Sequence, residues 1–218
     1  ADTRVLLLEA GGEARHPLQL MPLAFLRVGE SDRYNWKYQT EPEPHMDGRR
    51  LEIGRGLGLG GSSSINALIF IRGHRRDYDR WREAGLEGWG YDDVLPYFKR
   101  LETDWRGAGP YHGGDGPIRS TPMDFPEMLF EPLRRAAEAA GHPHNDDPNG
   151  ERQEGISRMD ATIGEGRRSS TAREYLGPAR HRPNLVIRTQ ALIPRILFEG
   201  HRAVGVEVVI DVRERLDV

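Results

Sequence analysis

The sequence contains no cysteine, almost no lysine and no long apolar run. Without cysteine it has neither a disulfide framework nor a thiolate metal site or nucleophile. This absence fits a reducing compartment, and we expect a cytoplasmic protein, with peripheral membrane association left open. The first residues lack the basic start and long apolar region of a signal peptide, and we predict no transmembrane segment.

The sequence also lacks an excess of charge of one sign, because acidic and basic residues are interspersed and the formal net charge is -3. Lysine occurs only at Lys37 and Lys99, and arginine supplies the remaining positive charge. No basic face suited to a phosphate backbone results, so we expect no nucleic-acid partner. With 218 residues and 37% hydrophobic content, the chain can bury one substantial core or two small ones.

What the sequence does have is glycine, concentrated in residues 54–66, which we call the glycine-rich segment. Gly56, Gly58 and Gly61 satisfy G-x-G-x-x-G, the pattern of a Rossmann phosphate turn. Such a turn follows a buried strand, whereas residues 47–53 are mostly charged. The glycines therefore indicate another role, which is the close approach of backbone to a bound cofactor.

The glycine-rich segment, taken with residues 72–74 and 77–81, resembles the first signature of the glucose-methanol-choline (GMC) flavoprotein oxidoreductases. Further segments that resemble the family occur in family order at residues 34–36, 40–44, 111–117 and 166–173. The resemblance covers essentially the whole chain. Within the family it is greatest to choline dehydrogenase-like members, through residues 33–44 and 145–155.

This resemblance implies an α/β fold, α+β overall: an incomplete FAD-binding Rossmann-like domain with a β-meander, and the start of a substrate-binding domain. We expect residues 1–75 to form part of the FAD domain, 76–165 a mostly helical substrate or cap region, and 166–218 a return to the FAD domain. The first β-α unit, with its glycine turn, and the second family signature are not in the sequence. The chain thus resembles an internal fragment of a larger enzyme.

Local patterns predict the individual elements of this fold. An apolar run ending in Glu and Gly predicts a fully buried parallel strand, acidic caps and glycine stops predict helices, and β-branched runs predict strands. The predicted elements are a strand at 5–8, helices at 77–84, 92–101 and about 126–140, a short helix from 171 stopped by Gly177 and Pro178, and a meander from the runs 184–189, 195–198 and 203–209.

Glu9 is the leading candidate binding residue, because it follows the predicted strand and precedes two glycines. In dinucleotide-binding folds a carboxylate in this position accepts hydrogen bonds from the adenosine ribose. The alternative is a solvated carboxylate at a strand end. The full set of residues that the resemblance implies for cofactor binding is Glu9, Gly11, Gly12, Arg55, Gly56, Gly60, Gly61, Ser62, Asn66, Ala67, Ile69 and Ile193.

Within this set, the resemblance implies different roles. Gly60, Gly61 and Ser62 supply backbone donors near the flavin and pyrophosphate, a role that amides at turns permit. Asn66, Ala67 and Ile69 line the flavin ring, and the backbone of Ile193 touches adenine. Some relatives attach the flavin through a histidine directly before the asparagine. Because Ile65 occupies that position, the implied FAD is non-covalent.

The reaction implied by the resemblance is oxidation of a primary alcohol, choline-like, by removal of the hydroxyl proton and hydride transfer to flavin N5. The family's catalytic histidine, with its histidine or asparagine partner, belongs to a C-terminal segment that this sequence lacks. No catalytic residue is therefore assigned, and the exact small-molecule alcohol, the electron acceptor and the oligomeric state stay open.

Two alternatives remain from the sequence. As alternatives to the enzyme, the chain is a non-catalytic remnant or one half of a split flavoprotein that needs a complementing chain. An unrelated α/β binding module would not account for the ordered family-like segments. A metal site at residues 142–147 is not expected, because His142 and His144 lack helical spacing. We expect the isolated chain to be poorly stable and to bind FAD weakly or not at all.

Overall fold

The computed structural model describes residues 3–123 and 128–210. The fold is mixed α/β, and the chain divides into two compact units. The first unit consists of Ala1–Ala67 and Ser170–Val218, and the second consists of Leu68–Ser169. The assignment of a flavin domain and a substrate domain along the chain stays a prediction.

The first unit begins with short elements around a small apolar core. Its elements up to the glycine-rich segment are β1 (Val5–Leu8), α1 (Pro17–Leu20), α2 (Phe25–Gly29), β2 (Tyr38–Gln39) and β3 (Glu52–Ile53), with 3₁₀ turns at Pro22–Ala24, Pro44–Met46 and Gly61–Ser64. Strands β2 and β3 pair antiparallel. The buried cluster is formed by Ala24, Val28, Tyr34 and Ile65.

The second unit combines three helices with short strands. Its elements are β4 (Ile69–Phe70), α3 (Arg75–Glu83), α4 (Tyr91–Leu101), β5 (Glu102–Thr103), β6 (Ile118–Arg119), β7 (Thr121–Pro122), α5 (Phe130–Ala139), β8 (Asp160–Ala161), β9 (Ile163–Gly164) and β10 (Arg167–Arg168). Strands β4, β8 and β7 form one antiparallel sheet. Strands β5 and β6 pair parallel, and β9 and β10 pair antiparallel.

Helix α3 starts two residues before its predicted bound because of its cap. The His74 ring accepts a hydrogen bond from the amide of Arg76, and the Asp77 carboxylate accepts one from the His74 amide. Helix α4 begins one residue before its predicted bound, at Tyr91, and Pro96 lies inside the helix. The start predicted for α5, Pro126, lies outside the described residues.

The chain then returns to the first unit through a π-helical turn at Ala172–Leu176, α6 (Gly177–Ala179), β11 (Leu185–Arg188), β12 (Ala191–Glu199) and β13 (Arg202–Ile210). The predicted stop at Gly177 and Pro178 is wrong. Pro178 occupies the first turn of α6, where a missing N–H leaves no helical bond unmade.

The predicted β-meander is also wrong in its first strand. Strand β11 pairs parallel with β1, in the register Val5↔Leu185 to Leu8↔Arg188, whereas β12 and β13 form an antiparallel hairpin of their own. Strand β1 lies where the sequence predicts it, but it is not fully buried, because Val5 is 45% and Leu6 58% exposed. Residues 211–218 of the predicted third segment lie outside the described residues.

Candidate cofactor site

Glu9 follows β1 directly, and its carboxylate joins two loops. Its Oε1 atom accepts hydrogen bonds from the amide of Gly11 (2.7 Å) and from the amide of Gly58 (2.9 Å). The carboxylate therefore ties residues 9–12, which we call the strand-end loop, to the glycine-rich segment. Within the described ranges Oε2 has no hydrogen-bond partner, so it is the oxygen available to a ligand.

Gly11 is the closest point between these two loops. A Cβ on Gly11 would overlap the backbone of Leu57 and Gly58, so only glycine allows the contact. The adjoining Gly12 carbonyl accepts a hydrogen bond from the amide of Leu59 (2.9 Å). Both glycines of the strand-end loop thus contact the glycine-rich segment.

The strand-end loop is also bound to the start of β12. The amide of Gln190 donates to the Gly11 carbonyl (3.0 Å), and the amide of Ala191 donates to the Glu9 carbonyl (2.9 Å). Ile193 lies two residues further along, in the stretch where the register between β12 and β13 shifts. The structure therefore brings Glu9, Gly11 and the strand of Ile193 into one neighbourhood.

The glycine-rich segment folds back on itself around Gly56 and Gly60. A Cβ on Gly56 would overlap the Gly61 carbonyl, and the Gly56 amide donates to Ser62 Oγ (3.2 Å). Gly60 has a φ of 85°, which favours glycine. The Gly61 amide already donates to the Gly58 carbonyl (2.9 Å), whereas the Gly60 amide has no partner among the described residues. Of these two, Gly60 is the donor available to a ligand.

One local hydroxyl group and one from a distant segment hold the Gly60 turn, and sequence reasoning missed the distant contact. Ser63 Oγ donates to the Gly60 carbonyl (2.6 Å), and Thr171 Oγ1 lies 3.0 Å from Ser63 Oγ. A Cβ on Gly60 would also meet the Cβ of Ala172 at 2.9 Å. The glycine-rich segment and residues 166–173 both resemble the family, which was the only sequence signal that linked them. Nothing in their order along the chain predicts that they are in contact.

The remaining predicted site residues are spread more widely. The Arg55 amide donates to the side chain of Asn35 (2.8 Å), and its guanidinium donates to the Gly54 carbonyl (2.7 Å). Asn66 and Ala67 are exposed at the end of the glycine-rich segment. Ile69 is half exposed and begins β4, which belongs to the second unit.

A cavity of about 440 Å³ adjoins the strand-end loop. It is lined by Ala10, Gly11, Gly12, Glu13, Arg15, His16, Asp32, Arg33, Tyr34, Leu57 and Gln190. Both acidic residues have cationic partners, since Glu13 pairs with Arg180 and Asp32 pairs with Lys37. Lining arginines next to glycine backbone fit the phosphates of a nucleotide cofactor. Glu9 adjoins this cavity through Ala10 and is not itself one of the lining residues.

Comparison of the whole sequence with protein families identifies the family of the chain. Residues 6–216 match the family described as GMC oxidoreductase. The chain belongs to the GMC oxidoreductase family. The resemblance drawn from the glycine-rich segment and the later motifs is confirmed.

Curated relatives of this GMC chain include oxygen-dependent choline dehydrogenases. That of Klebsiella pneumoniae is 53% identical over 94% of this chain and 38% of its own length. That of Pseudomonas putida is 51% identical over 100% of this chain and 40% of its own length. The chain therefore spans about two-fifths of the relatives that it matches.

Solved structures of similar fold include the pyridoxine 4-oxidase from Mesorbium loti. It has a TM-score of 0.89 and 33% identity, over 96% of this chain and 42% of its own. An FAD-dependent oxidoreductase from Chaetomium thermophilum has a TM-score of 0.83 and 28% identity, over 95% of this chain and 37% of its own. The mixed α/β fold predicted from the sequence is confirmed. No helix in the described parts of the GMC chain is both long and apolar enough to cross a membrane.

The second unit of the GMC chain contains a buried charged cluster that sequence reasoning missed. Arg72 Nη2 lies 2.7 Å from Glu102 Oε1, and these side chains are 3% and 0% exposed. His112 bridges two acids, with Nδ1 3.1 Å from Glu102 and Nε2 2.9 Å from Asp147. Asp147 closes the histidine-containing stretch considered above for a metal, and here it pairs with a histidine outside that stretch.

Glu102, Asp104 and His112 could offer metal ligands, because their ligand atoms all lie within 4.8 Å of one another. Burial lowers the pKa of His112, but its hydrogen bonds to Asp147 and Glu102, with the charge of Asp104, outweigh burial and raise the pKa to about 9. A protonated imidazole cannot bind a metal ion. Without a metal ion these side chains therefore form a protonated ion cluster at neutral pH, and a metal ion would have to displace the proton of His112.

The protonation of His112 predicts that stability falls at alkaline pH. Because its pKa rises from 6.5 in the unfolded chain to about 9 in the folded chain, its contribution is complete below pH 6.5 and is lost as pH rises through 9. The loss is on the order of 3 kcal/mol. Urea unfolding of the chain at pH 6 and pH 9.5 measures it. His112→Gln should flatten this pH dependence, and an equally steep dependence in that variant would contradict the prediction.

Proposed function

We propose that this chain is the FAD-binding portion of a GMC oxidoreductase that oxidises a choline-like primary alcohol. The first unit then corresponds to an incomplete Rossmann-like FAD domain, and the second unit to the start of a substrate domain. One observation carries the proposal: Glu9 stands at the end of a parallel strand with Oε1 bound by two glycine amides and Oε2 available. The choline dehydrogenases that the chain resembles support the choice of substrate.

Different residues of the first unit would bind different parts of the cofactor. Glu9 Oε2 would accept hydrogen bonds from the ribose hydroxyls, and the Gly60 amide would donate to the phosphates, with Arg15 and Arg33 nearby as cations. The Ile193 backbone would contact adenine. Binding would be non-covalent, because Ile65 is an aliphatic residue buried in the apolar core.

At the reacting end, Asn66, Ala67 and Ile69 would lie near the flavin ring. The chemistry supplied by bound FAD is acceptance of the hydride that leaves the alcohol carbon. The chain's own contribution is binding and orientation, since no residue of these 218 is assigned as the base for the hydroxyl proton. The electron acceptor is left open.

Titration with FAD tests the proposal directly. The quenching of flavin fluorescence on adding the purified chain, followed to high micromolar concentration, detects even weak binding. We expect one-to-one binding that is weak but saturable, and a still lower affinity for FMN, because FMN has the same flavin but lacks the adenosine ribose that Glu9 would hold. Binding of FMN as tight as that of FAD, or no saturable binding of either, would contradict the proposal.

Glu9→Gln separates the charge of this carboxylate from its structural role. The amide oxygen of glutamine still accepts from Gly11 and Gly58, so the fold should persist, while the ribose loses a charged acceptor. Hydrogen bonds to charged groups contribute about 1.5–3 kcal/mol, so the FAD dissociation constant should rise by roughly 10- to 100-fold. The matched control is Glu41→Gln, an exposed acid paired with Arg50, which should leave it unchanged.

A further inference from the structure

We propose that Asn35 is a positioning residue that holds the glycine-rich segment in the shape that binds FAD. This inference rests on the proposed function and deepens it. Asn35 touches no residue assigned to the cofactor except Arg55 and Gly56, which it contacts through their backbones. It would therefore act on the cofactor only through the glycine-rich segment.

The side chain of Asn35 is buried, at 5% exposure for the residue, and its amide is fully engaged. Nδ2 donates to the Gly29 carbonyl (2.6 Å), and Oδ1 accepts from the amides of Lys37 (3.0 Å) and Arg55 (2.8 Å). A single planar amide thus joins the end of α2, its own loop at Lys37 and the glycine-rich segment. Burial without these bonds would be unfavourable for an amide.

The backbone around Asn35 extends this link from the apolar core to the glycine-rich segment. The amide of Leu57 donates to the Tyr34 carbonyl (2.8 Å), and the amide of Trp36 donates to the Arg55 carbonyl (2.9 Å). Asn35 and Gly56 form an antiparallel bridge between these bonds. Because Tyr34 belongs to the buried cluster, residues 55–57 are fixed relative to the core.

Asn35 also shapes the segment by packing. A Cβ on Gly54 would lie 3.3 Å from Asn35 Nδ2, so the amide lies against the backbone where the glycine-rich segment begins. From there the segment leads to Gly58, whose amide binds Glu9, and to the Gly60 turn. Fixing residues 54–57 therefore restricts where the Gly58 and Gly60 amides can lie.

The residue type at this position follows from the bonds that it makes. Aspartate keeps the acceptor for Arg55 but has no donor for the Gly29 carbonyl, whereas leucine keeps the volume and loses every bond. We therefore expect both variants to loosen the segment, Asn35→Leu through its lost hydrogen bonds and Asn35→Asp through a buried carboxylate that faces the Gly29 carbonyl and Glu52 Oε1. Because aspartate keeps the shape of asparagine, an effect of Asn35→Asp distinguishes hydrogen bonding from packing.

The test compares amide hydrogen exchange in the free chain with FAD affinity. In Asn35→Leu, exchange in residues 54–61 should accelerate at least tenfold while the β12–β13 hairpin stays unchanged, and the FAD dissociation constant should rise at least tenfold. The matched control is Asn149→Asp. Asn149 is 3% exposed, donates to the Phe70 carbonyl (3.0 Å) and accepts from the Arg72 amide (2.8 Å), all in the second unit.

The outcomes separate this inference from the proposed function. Asn149→Asp should lower overall stability without changing exchange in residues 54–61 or FAD affinity. If it has the same effects as the Asn35 variants, general destabilisation explains them and the positioning role is wrong. Unchanged exchange in Asn35→Leu, with FAD still bound, overturns the positioning role alone. Absence of FAD binding by the unaltered chain overturns the proposed function and, with it, this inference.

Discussion

Gly11→Ala is expected to abolish the FAD binding seen by titration and to lower the free energy of unfolding by about 1–3 kcal/mol, the usual range for overpacking a well-packed site. The new Cβ would overlap the backbone of Leu57 and Gly58. Main-chain atoms cannot move aside as the end of a flexible side chain can. The strand-end loop must therefore separate from the glycine-rich segment, and the hydrogen bond between Glu9 and the Gly58 amide breaks.

Gly29→Ala is the matched control for this substitution. Gly29 ends α2, and a Cβ there would meet nothing within 4 Å, so alanine should be neutral or slightly stabilising. Chemical denaturation and the FAD titration measure both variants. Because Gly11 has no positive φ, the predicted effect is purely one of space. A Gly11→Ala chain as stable as the control would mean that the two loops are not in contact.

Local patterns were sufficient for the parts of the site that lie close together in sequence. The apolar run before Glu9 and the two glycines after it predicted the strand and the loop that follows it. Whether the ribose binds there stays a prediction. The partner of β1 was not predictable in the same way, since β11 begins 180 residues later and its β-branched run suits a meander equally well.

Local sequence patterns did not predict the contacts between polar residues that are distant along the chain. In the sequence, Asn35 is a single polar residue between two aromatic ones. The hydrogen bonds of its amide to Gly29, at the end of α2, and to Arg55 are visible only in the structure. The sequence analysis assigns no role to Glu102 or His112, and charged residues are rarely buried without partners. Their burial depends on Arg72 and Asp147 arriving from elsewhere in the chain, which no local pattern indicates.

The second large effect is expected in that buried cluster, where Glu102→Ala should lower the free energy of unfolding by about 3–5 kcal/mol. Glu102 is fully buried and accepts from Arg72, from His112 and from the Gly113 amide. Its loss leaves the Arg72 guanidinium, 3% exposed, without its carboxylate. By contrast, Glu131→Gln removes an exposed partner of Arg134 and should change stability by less than about 1 kcal/mol.

A double variant decides whether the unpaired charge causes this loss. Replacing Arg72 with methionine in the Glu102→Ala background removes the guanidinium that lacks a partner and keeps most of its apolar volume. If the buried charge is responsible, the double variant should be more stable than Glu102→Ala alone in urea unfolding, despite carrying a second substitution. Additive losses would instead mean that Glu102 acts mainly through His112 and the Gly113 amide, so that the cluster is held by hydrogen bonds to the loop at residues 112–113 rather than by the ion pair with Arg72.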